Sequence, residues 1–369
     1  MTMSDPAEAT TLDQMSVCSQ PDVAQPLLVS MYLHDEQDAY RSDTCRTFRD
    51  PLVTSLLSLP SMKRLAGIGF LGAIDYIRHG SGRSGHRRRH NRLEHSIGVA
   101  RLADIYAKEA GLTDDRRRLL LSAALLHDVG HGPLSHTLEP VFSEEFGLDH
   151  HIVTRRIVKG DVSMGEGIPE VLSDAGIDLE EVLALIDGEH DGDVGFLFSS
   201  QINLDTLEGI ARCRAFIAPR PAYGMSERIV RRWAQGTGML ESGFDAFWAL
   251  KHNIYNLFIS APRGAALDAV AQTYMRANLS AFSSEDFFRT EGALRRRHPE
   301  LFMYLRSAAR ADRSRNGMIP SDWRKQTVRV KKRDFFVETS TRLENNMSIN
   351  GRYRQSKSVV SMKLADLLD

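Results

Sequence analysis

The sequence predicts a mostly α-helical fold with a small mixed α/β part at its C-terminal end. Apolar residues recur at helical spacing from about residue 45 onward, and glycine and proline repeatedly interrupt them. β-Branched and aromatic residues gather instead in segment 326–337. Hydrophobic residues make up 42% of the 369 residues, which is enough for a sizeable core.

The helical segments follow one another along the chain. Residues 51–67 predict two short helices split at Pro60, because proline cannot continue a helix. An amphipathic helix follows over 93–110, and Thr113 or Asp114 caps the next one, which a glycine- and proline-containing break ends. Further elements are predicted as helices at 150–158, 168–174, 179–186, 203–217, 225–235, 244–259 and 265–279, and as a strand at 326–337.

Three parts are distinguished by composition. Residues 1–35 are polar with weak periodicity, which predicts a loosely docked N-terminal arm. Residues 36–290 contain most of the helical pattern and form the main domain, and residues 291–369 form a C-terminal extension. The extension is basic and partly strand-like, so we expect it to serve assembly or to cap the substrate.

Net charge and cysteine content indicate which partners and which cellular compartment to expect. The formal net charge is -1, so nothing in the overall balance favours nucleic acid or membrane. The 3 cysteines lie far apart, which excludes a disulfide framework and fits a reducing cytoplasm. We expect neither a signal peptide nor a membrane-spanning helix, and no membrane partner. Segment 78–92 is locally basic, with six arginines and no acidic residue.

The stretch "LLHDVGHGPLSH" indicates a metal site. His127 and Asp128 follow an apolar run and therefore end a buried helix, where an unpaired carboxylate would be costly. A metal ion would compensate that cost. Two further His-Asp pairs lie in polar segments, at 34–35 and 190–191, and are interpreted as solvated loop residues.

Further ligands are expected at the inner ends of other buried helices. His95 begins the 93–110 helix in "RLEHSIGVARLA", and Asp205 begins another in "INLDTLEGIAR". Together with His127 and Asp128 they provide two imidazoles and two carboxylates. That donor set suits Mn, Fe, Zn or Mg better than copper or an iron–sulfur cluster.

The order His95, His127-Asp128, Asp205 resembles the H…HD…D signature of the HD-domain metal-dependent phosphohydrolase superfamily. "HNRLEHSIGVARLA" and "LLHDVGHGPLSHTLE" resemble its deoxynucleoside triphosphate triphosphohydrolase branch, over about residues 48–280. The resemblance implies an HD-domain helical bundle for the main domain. It also implies a divalent metal ion (Mn, Fe, Mg, Co or Zn), hydrolysis of a phosphate ester of a nucleotide, and a homo-oligomer.

The resemblance also implies roles around the metal. His131 and His136 would line the phosphate and proton-transfer side, with His136 as the acid and Glu139 orienting it. His150 matches a family histidine and would hold phosphates or a second metal, although His151 stands where the family has glutamate.

Two arginines match substrate-contacting positions of that branch. Arg92 precedes His95 by three residues and would clamp a phosphate. Arg212 follows the last ligand, where an ion pair within the protein is the alternative.

The sugar-recognition positions of the branch are altered. Gly209 and Cys213 stand where the family has tyrosine and aspartate, Phe70 replaces a glutamine, and Thr206 replaces a basic phosphate contact. The resemblance therefore implies a hydrolytic site whose substrate differs from a standard deoxynucleoside triphosphate.

Three alternatives remain from sequence. The basic 83–92 segment favours a nuclease or phosphodiesterase acting on nucleic acid. Loss of the sugar contacts favours a non-catalytic, nucleotide-binding regulatory module. A di-iron oxygenase needs additional histidine ligands, and the "GHGPLSH" motif argues against it.

Overall fold

The computed structural model describes residues 49–77, 90–217, 223–236, 241–309, 318–338 and 351–368. All of them belong to one compact unit, Thr44–Asp369. The predicted arm at 1–35, the His-Asp pair at 34–35 and most of the basic 83–92 segment lie outside the described residues.

The mostly α-helical prediction is confirmed. The α-helices are α1 Pro51–Ser58, α2 Pro60–Leu65, α3 Arg92–Glu109, α4 Asp114–Leu126, α5 Glu139–Phe146, α6 His150–Val158, α7 Ile168–Asp174, α8 Leu179–Ile186, α9 Phe196–Ser199, α10 Leu204–Ile217, α11 Tyr223–Ala234, α12 Glu241–Ile254, α13 Pro262–Ala277, α14 Glu291–Arg297, α15 Pro299–Ala308, α16 Ser321–Arg324 and α17 Leu364–Leu368. A single π-helical turn, Tyr255–Ile259, extends α12.

Side-chain caps fix the beginnings of the two helices that carry the His-Asp motif and its histidine partner. Asn91 caps α3 by accepting a hydrogen bond from the backbone of Glu94. Thr113 caps α4 in the same way, accepting from the backbone of Arg116. Helix α4 is buried from Leu119 to Leu126, so its C-terminal end lies in the protein interior.

Glycines let the neighbouring elements approach these helices closely. At Gly98, in the middle of α3, an added Cβ would lie 2.3 Å from Glu208 Oε1 of α10. At Gly130, just after α4, an added Cβ would lie 2.4 Å from the His150 carbonyl oxygen and 2.2 Å from the Thr154 nitrogen, both of α6. Glycine at these positions therefore brings α10 and α6 to the same end of the α3–α4 pair.

The C-terminal extension contains a two-stranded antiparallel ribbon, which confirms the small mixed α/β part. Its strands are β1 Thr327–Val337 and β2 Tyr353–Lys363, paired from Thr327↔Lys363 to Val337↔Tyr353. The ribbon packs on α12 through Trp248, whose ring lies 5.3 Å from that of Phe335. Trp248 Nε1 also donates to the Phe336 carbonyl at 3.1 Å.

Within the described ranges, no helix is both long enough and apolar enough to cross a lipid bilayer.

Candidate metal centre

Two imidazole nitrogens face each other at the buried end of α4. His127 is the C-cap residue of α4, and its Nε2 lies 3.3 Å from Nε2 of His95, which belongs to α3. The Nδ1 atoms of both rings are occupied elsewhere, by the Ala124 carbonyl at 2.9 Å for His127 and by Glu208 at 2.5 Å for His95. Both rings therefore present Nε2 to the same point, as metal-binding histidines do.

The two predicted carboxylates lie beside these nitrogens. Asp205 Oδ1 is 2.9 Å from His95 Nε2 and 3.9 Å from His127 Nε2. Asp128 places Oδ2 3.5 Å from His95 Nε2 and Oδ1 3.6 Å from His127 Nε2. The structure thus brings together all four ligands that the sequence predicts, from α3, α4 and α10. Asp205 has 54% of its side chain exposed, so the centre opens to solvent on the α10 side.

A buried glutamate that sequence reasoning missed holds His95 in place. Glu208 lies one helical turn after Asp205 on α10 and accepts from Arg212 Nε at 2.9 Å. Arg212 also donates to the Glu94 carbonyl at 2.9 Å, so its guanidinium ties α10 to α3. The spacing Asp205-x-x-Glu208 places both carboxylates on one helix face, which was the available signal.

Charges at the centre are strongly coupled. Burial opposes protonation of His95, but Glu208 and Asp205 outweigh it and raise its pKa to about 9. Burial likewise opposes ionisation of Asp205, yet the hydrogen bond with His95 and the charge of His127 hold its pKa at about 2. His95 consequently carries a proton at neutral pH that a bound metal ion would have to displace.

Arg92 is buried beside the centre and forms hydrogen bonds within the protein. It is 4% exposed, and its Nη1 donates to Asp128 Oδ2 at 2.6 Å. Its Nε donates to Ser135 Oγ at 2.9 Å. Although burial opposes ionisation of Asp128, the charges of His127, His131 and Arg92 hold its pKa well below the usual value. Arg92 therefore fixes the orientation and charge of Asp128.

A second group of potential ligands adjoins the first. His131, His136, Glu139 and His150 each offer one atom, and these atoms lie within 4.8 Å of one another. His131 stacks on His150 with ring centroids 4.3 Å apart, and its Nε2 lies 3.2 Å from Asp128 Oδ1. His131 is completely buried, and neither ring nitrogen forms a well-aligned hydrogen bond with another described residue. Burial and the charge of Arg92 lower its pKa well below the usual value, so the ring is neutral.

Glu139 is bonded to His150 more closely than to His136. Its Oε2 lies 2.7 Å from His150 Nδ1, whereas its Oε1 lies 3.6 Å from His136 Nδ1. Burial raises the pKa of Glu139, but the two histidines outweigh it and hold that pKa well below its usual range. His136 has 61% of its side chain exposed, compared with 13% for His150.

The altered sugar position Gly209 faces the centre at van der Waals distance. An added Cβ at Gly209 would lie 3.5 Å from Phe70 Cζ, 3.8 Å from His95 Cε1 and 4.0 Å from Asp205 Oδ1. A side chain at position 209 would therefore point toward the candidate ligands His95 and Asp205. One turn later, Cys213 is buried, and burial raises the pKa of its thiol to about 12.

The donor chemistry fits a divalent cation. Both imidazoles have their second nitrogen occupied, both carboxylates are held ionised, and the four groups converge from separate elements. His95, His127 and Asp205 place one ligand atom each within 4.8 Å of the others, and Asp128 adjoins them.

This arrangement belongs to a known domain family. The model of the HD domain matches residues 92–213, which run from Arg92 to Cys213 and include all four ligands. Residues 92–213 are therefore similar in sequence to an HD domain. HD domains bind divalent metals, and the two ligand clusters of this chain lie inside the matched range.

Two curated relatives share part of the sequence. The uncharacterised protein YwfO of Bacillus subtilis is 33% identical over 188 residues, which is 50% of this chain and 40% of that protein. The deoxynucleoside triphosphate triphosphohydrolase SAMHD1 of Xenopus laevis is 36% identical over 99 residues, which is 25% of this chain and 15% of that protein. The chain thus spans less than half the length of either relative.

A solved structure shares the fold. A phosphohydrolase from Bacteroides thetaiotaomicron superposes with a TM-score of 0.54 at 14% sequence identity. The superposition covers 85% of this chain and 96% of that one. The fold of that structure therefore extends over most of this chain.

Proposed function

We propose that this protein is a metal-dependent phosphohydrolase that cleaves a phosphate ester of a nucleotide. The observation that carries the proposal is the convergence of His95, His127, Asp128 and Asp205, with both remaining imidazole nitrogens occupied. These residues would hold a divalent ion, which would lower the pKa of a water molecule and polarise a phosphoryl oxygen. The similarity to SAMHD1, a deoxynucleoside triphosphate triphosphohydrolase, supports nucleotides as the substrate class.

The chain supplies the remaining chemistry. Water adds its oxygen to phosphorus and releases one proton to solvent, while the bond from phosphorus to the ester oxygen breaks. The leaving oxygen takes a proton from a protonated histidine, which solvent then protonates again. The family resemblance implies His136 as this acid. The 2.7 Å contact between His150 and Glu139 favours His150 instead, because it orients the ring and sets its tautomer. His136, which is more exposed, would then contact phosphate oxygens.

A second cation is the alternative use of the His131 cluster. Buried His131 favours it, since its Nδ1 has no hydrogen-bond partner among the described residues and a cation would satisfy it. The number of metal ions bound per chain distinguishes the acid role of this cluster from its role as a second cation site. One ion per chain supports the acid role, and two ions, reduced to one by His131→Ala, support the dinuclear centre.

The sugar side favours a substrate unlike a standard deoxynucleoside triphosphate. Gly209 presents no side chain beside His95 and Asp205, and buried Cys213 offers no carboxylate for a sugar hydroxyl. We propose that the substrate is bound mainly through groups other than the deoxyribose. The homo-oligomer implied by the family resemblance stays a prediction.

The proposal is tested by hydrolysis of a substrate panel with Mn, Mg, Fe or Co. The panel contains deoxynucleoside and ribonucleoside triphosphates, monophosphates and oligonucleotides. We expect metal-dependent product release by the wild type and a loss of at least about 1,000-fold for Asp128→Ala or Asp205→Ala, because each removes a ligand. Asp205 is half exposed, so its variant keeps the fold even if loss of Asp128 disturbs Arg92.

The second His-Asp pair supplies a matched control. Asp191 follows His190 in an exposed loop, so Asp191→Ala repeats the same substitution away from the centre. We expect it to retain full activity. Equal activity of Asp128→Ala, Asp205→Ala and the wild type on every hydrolysed substrate would refute the proposal, as would no product from any substrate.

A further inference from the structure

A buried lysine without a carboxylate partner lies next to the metal centre. Lys251, on α12, is 8% exposed, and its Nζ lies 4.6 Å from the Trp248 ring centroid and 4.9 Å from that of Phe335. Its hydrogen-bond acceptor is the Gln201 carbonyl at 3.4 Å, in the loop that leads into α10. Among the described residues, no carboxylate lies within ion-pair distance of it. Such a cation is costly to bury unless a ligand supplies the charge.

An arginine of the ribbon lies beside this lysine. Arg333, on β1, donates to the Tyr255 hydroxyl at 3.5 Å, and its guanidinium lies 5.6 Å from the Tyr255 ring centroid. Tyr255 follows Lys251 by four residues and therefore lies on the same side of α12 and its π-helical extension. Phe335, two residues after Arg333, packs on Trp248, so the two cations face the same space.

That space adjoins the exposed side of the metal centre. Asp205 acts electrostatically on both Lys251 and Tyr255, and Arg333 acts on both as well. Lys251 donates to the Gln201 carbonyl, four residues before Asp205, so it lies beside the end of α10 that carries Asp205. Arg333 lies next to it on the ribbon, against Tyr255.

The positive charge continues along the ribbon. Alternate residues of β1 share a face, so Arg329 and Lys331 lie on the face of Arg333, and the register places Lys357 opposite Arg333. We call Lys251, Arg333, Lys331, Lys357 and Arg329 the cationic row. Within the two strands as described, this face carries no acidic residue, and none of its cations forms an ion pair with another described residue.

We propose that the cationic row binds the backbone of a single-stranded nucleic acid whose end enters the metal centre. The proposal rests on the proposed function, and it names the substrate class. A phosphate next to the scissile one would meet Lys251 and Arg333, and following phosphates would meet the cations of the ribbon.

The length of the row favours a nucleic acid over a small bisphosphate. Arg329 lies four residues before Arg333, which corresponds to about 13 Å of extended strand. A nucleoside with two phosphates would need only the Lys251–Arg333 end. Binding at a positively charged groove that follows the backbone is independent of base sequence and strongly dependent on salt.

Binding is measured by fluorescence anisotropy with a labelled oligothymidylate in EDTA, so that affinity is scored without hydrolysis. The test variant is Lys331→Gln/Arg333→Gln. The control is Lys332→Gln/Arg354→Gln, which removes two charges from the opposite face of the same ribbon. We expect the test variant to lose roughly tenfold in affinity at low salt and about 1.4 units of salt slope, because each single-strand phosphate contact contributes about 0.7. The control should bind as the wild type does.

Three results would overturn the proposal. The first is that the wild type does not bind the oligonucleotide, or binds it with an affinity that does not depend on salt. The second is that both double variants lose affinity equally. The third is that a nucleoside 3′,5′-bisphosphate competes as strongly as unlabelled oligonucleotide. The binding experiment and the hydrolysis panel can fail independently. A protein that binds oligonucleotide through the cationic row but hydrolyses nothing would refute only the proposed function.

Discussion

At the scale of single residues, each candidate ligand is held by a neighbour that bonds to another of its atoms. The Glu208–Arg212 pair holds His95 by its Nδ1 atom, and the Ala124 carbonyl does the same for His127. Arg92 donates to Asp128, and its contact with phosphate stays a prediction. Each functional group at the centre is thus oriented by a buried neighbour.

The buried charge of Lys251 lowers the stability of the folded protein. Burial lowers its pKa from 10.5 to about 8, against which the nearby Asp205 acts only partly. Holding the charge at pH 7 therefore costs up to about 3 kcal/mol of folding free energy. Lys251→Met keeps much of the packing on Trp248 and removes the charge.

We predict that Lys251→Met raises the free energy of unfolding at pH 7, measured by urea denaturation. The advantage should shrink as pH rises from about 8 to about 10.5, because the unfolded lysine then holds its proton longer than the folded one and the wild type gains stability. Lys331→Met, at an exposed position of β1, is the control and should change little. A destabilised Lys251→Met at pH 7 would contradict this account.

At the scale of elements, local sequence predicted most helices closely. Helices α6, α7 and α8 occupy the predicted 150–158, 168–174 and 179–186 ranges, and Thr113, one of the two residues named from sequence, caps α4. The prediction merged α12 with its π-helical turn, because periodicity alone does not distinguish the two.

Gly209 offers a test within α10. It lies inside the helix, where alanine is more favourable by about 1 kcal/mol, and an added Cβ would make only ordinary contacts of 3.5 Å and longer. We predict that Gly209→Ala raises the melting temperature while raising KM for the substrate found in the panel. Gly98→Ala should do the opposite to stability, since its Cβ would meet Glu208 at 2.3 Å. Unchanged KM in Gly209→Ala would remove this position from the substrate pocket.

At the scale of the whole molecule, the centre links elements distant in sequence. Its ligands come from α3, from the end of α4 and from α10, between residues 95 and 205. A metal ion bound to all of them stabilises the folded state only, since the unfolded chain does not present the site.

We therefore predict that divalent metal raises the melting temperature and that chelation by EDTA lowers it. At a metal concentration about 100 times the dissociation constant, the gain is about 2.7 kcal/mol. Calorimetry should show this shift in the wild type and in Asp191→Ala and its absence in Asp205→Ala. A full shift in Asp205→Ala would place the stabilising ion elsewhere.

The sequence by itself predicted the helices, one strand of the small C-terminal part and the four candidate ligands, because periodicity, caps and motif order are local properties of the chain. Only the tertiary structure decided which side chains meet: Glu208 with His95, Glu139 with His150, and Lys251 with Phe335. These pairs are 113, 11 and 84 residues apart, and they depend on how helices cross and how the ribbon docks on α12. Local pattern does not encode those crossings, so the candidate ligands could be proposed from the sequence and their surroundings could not.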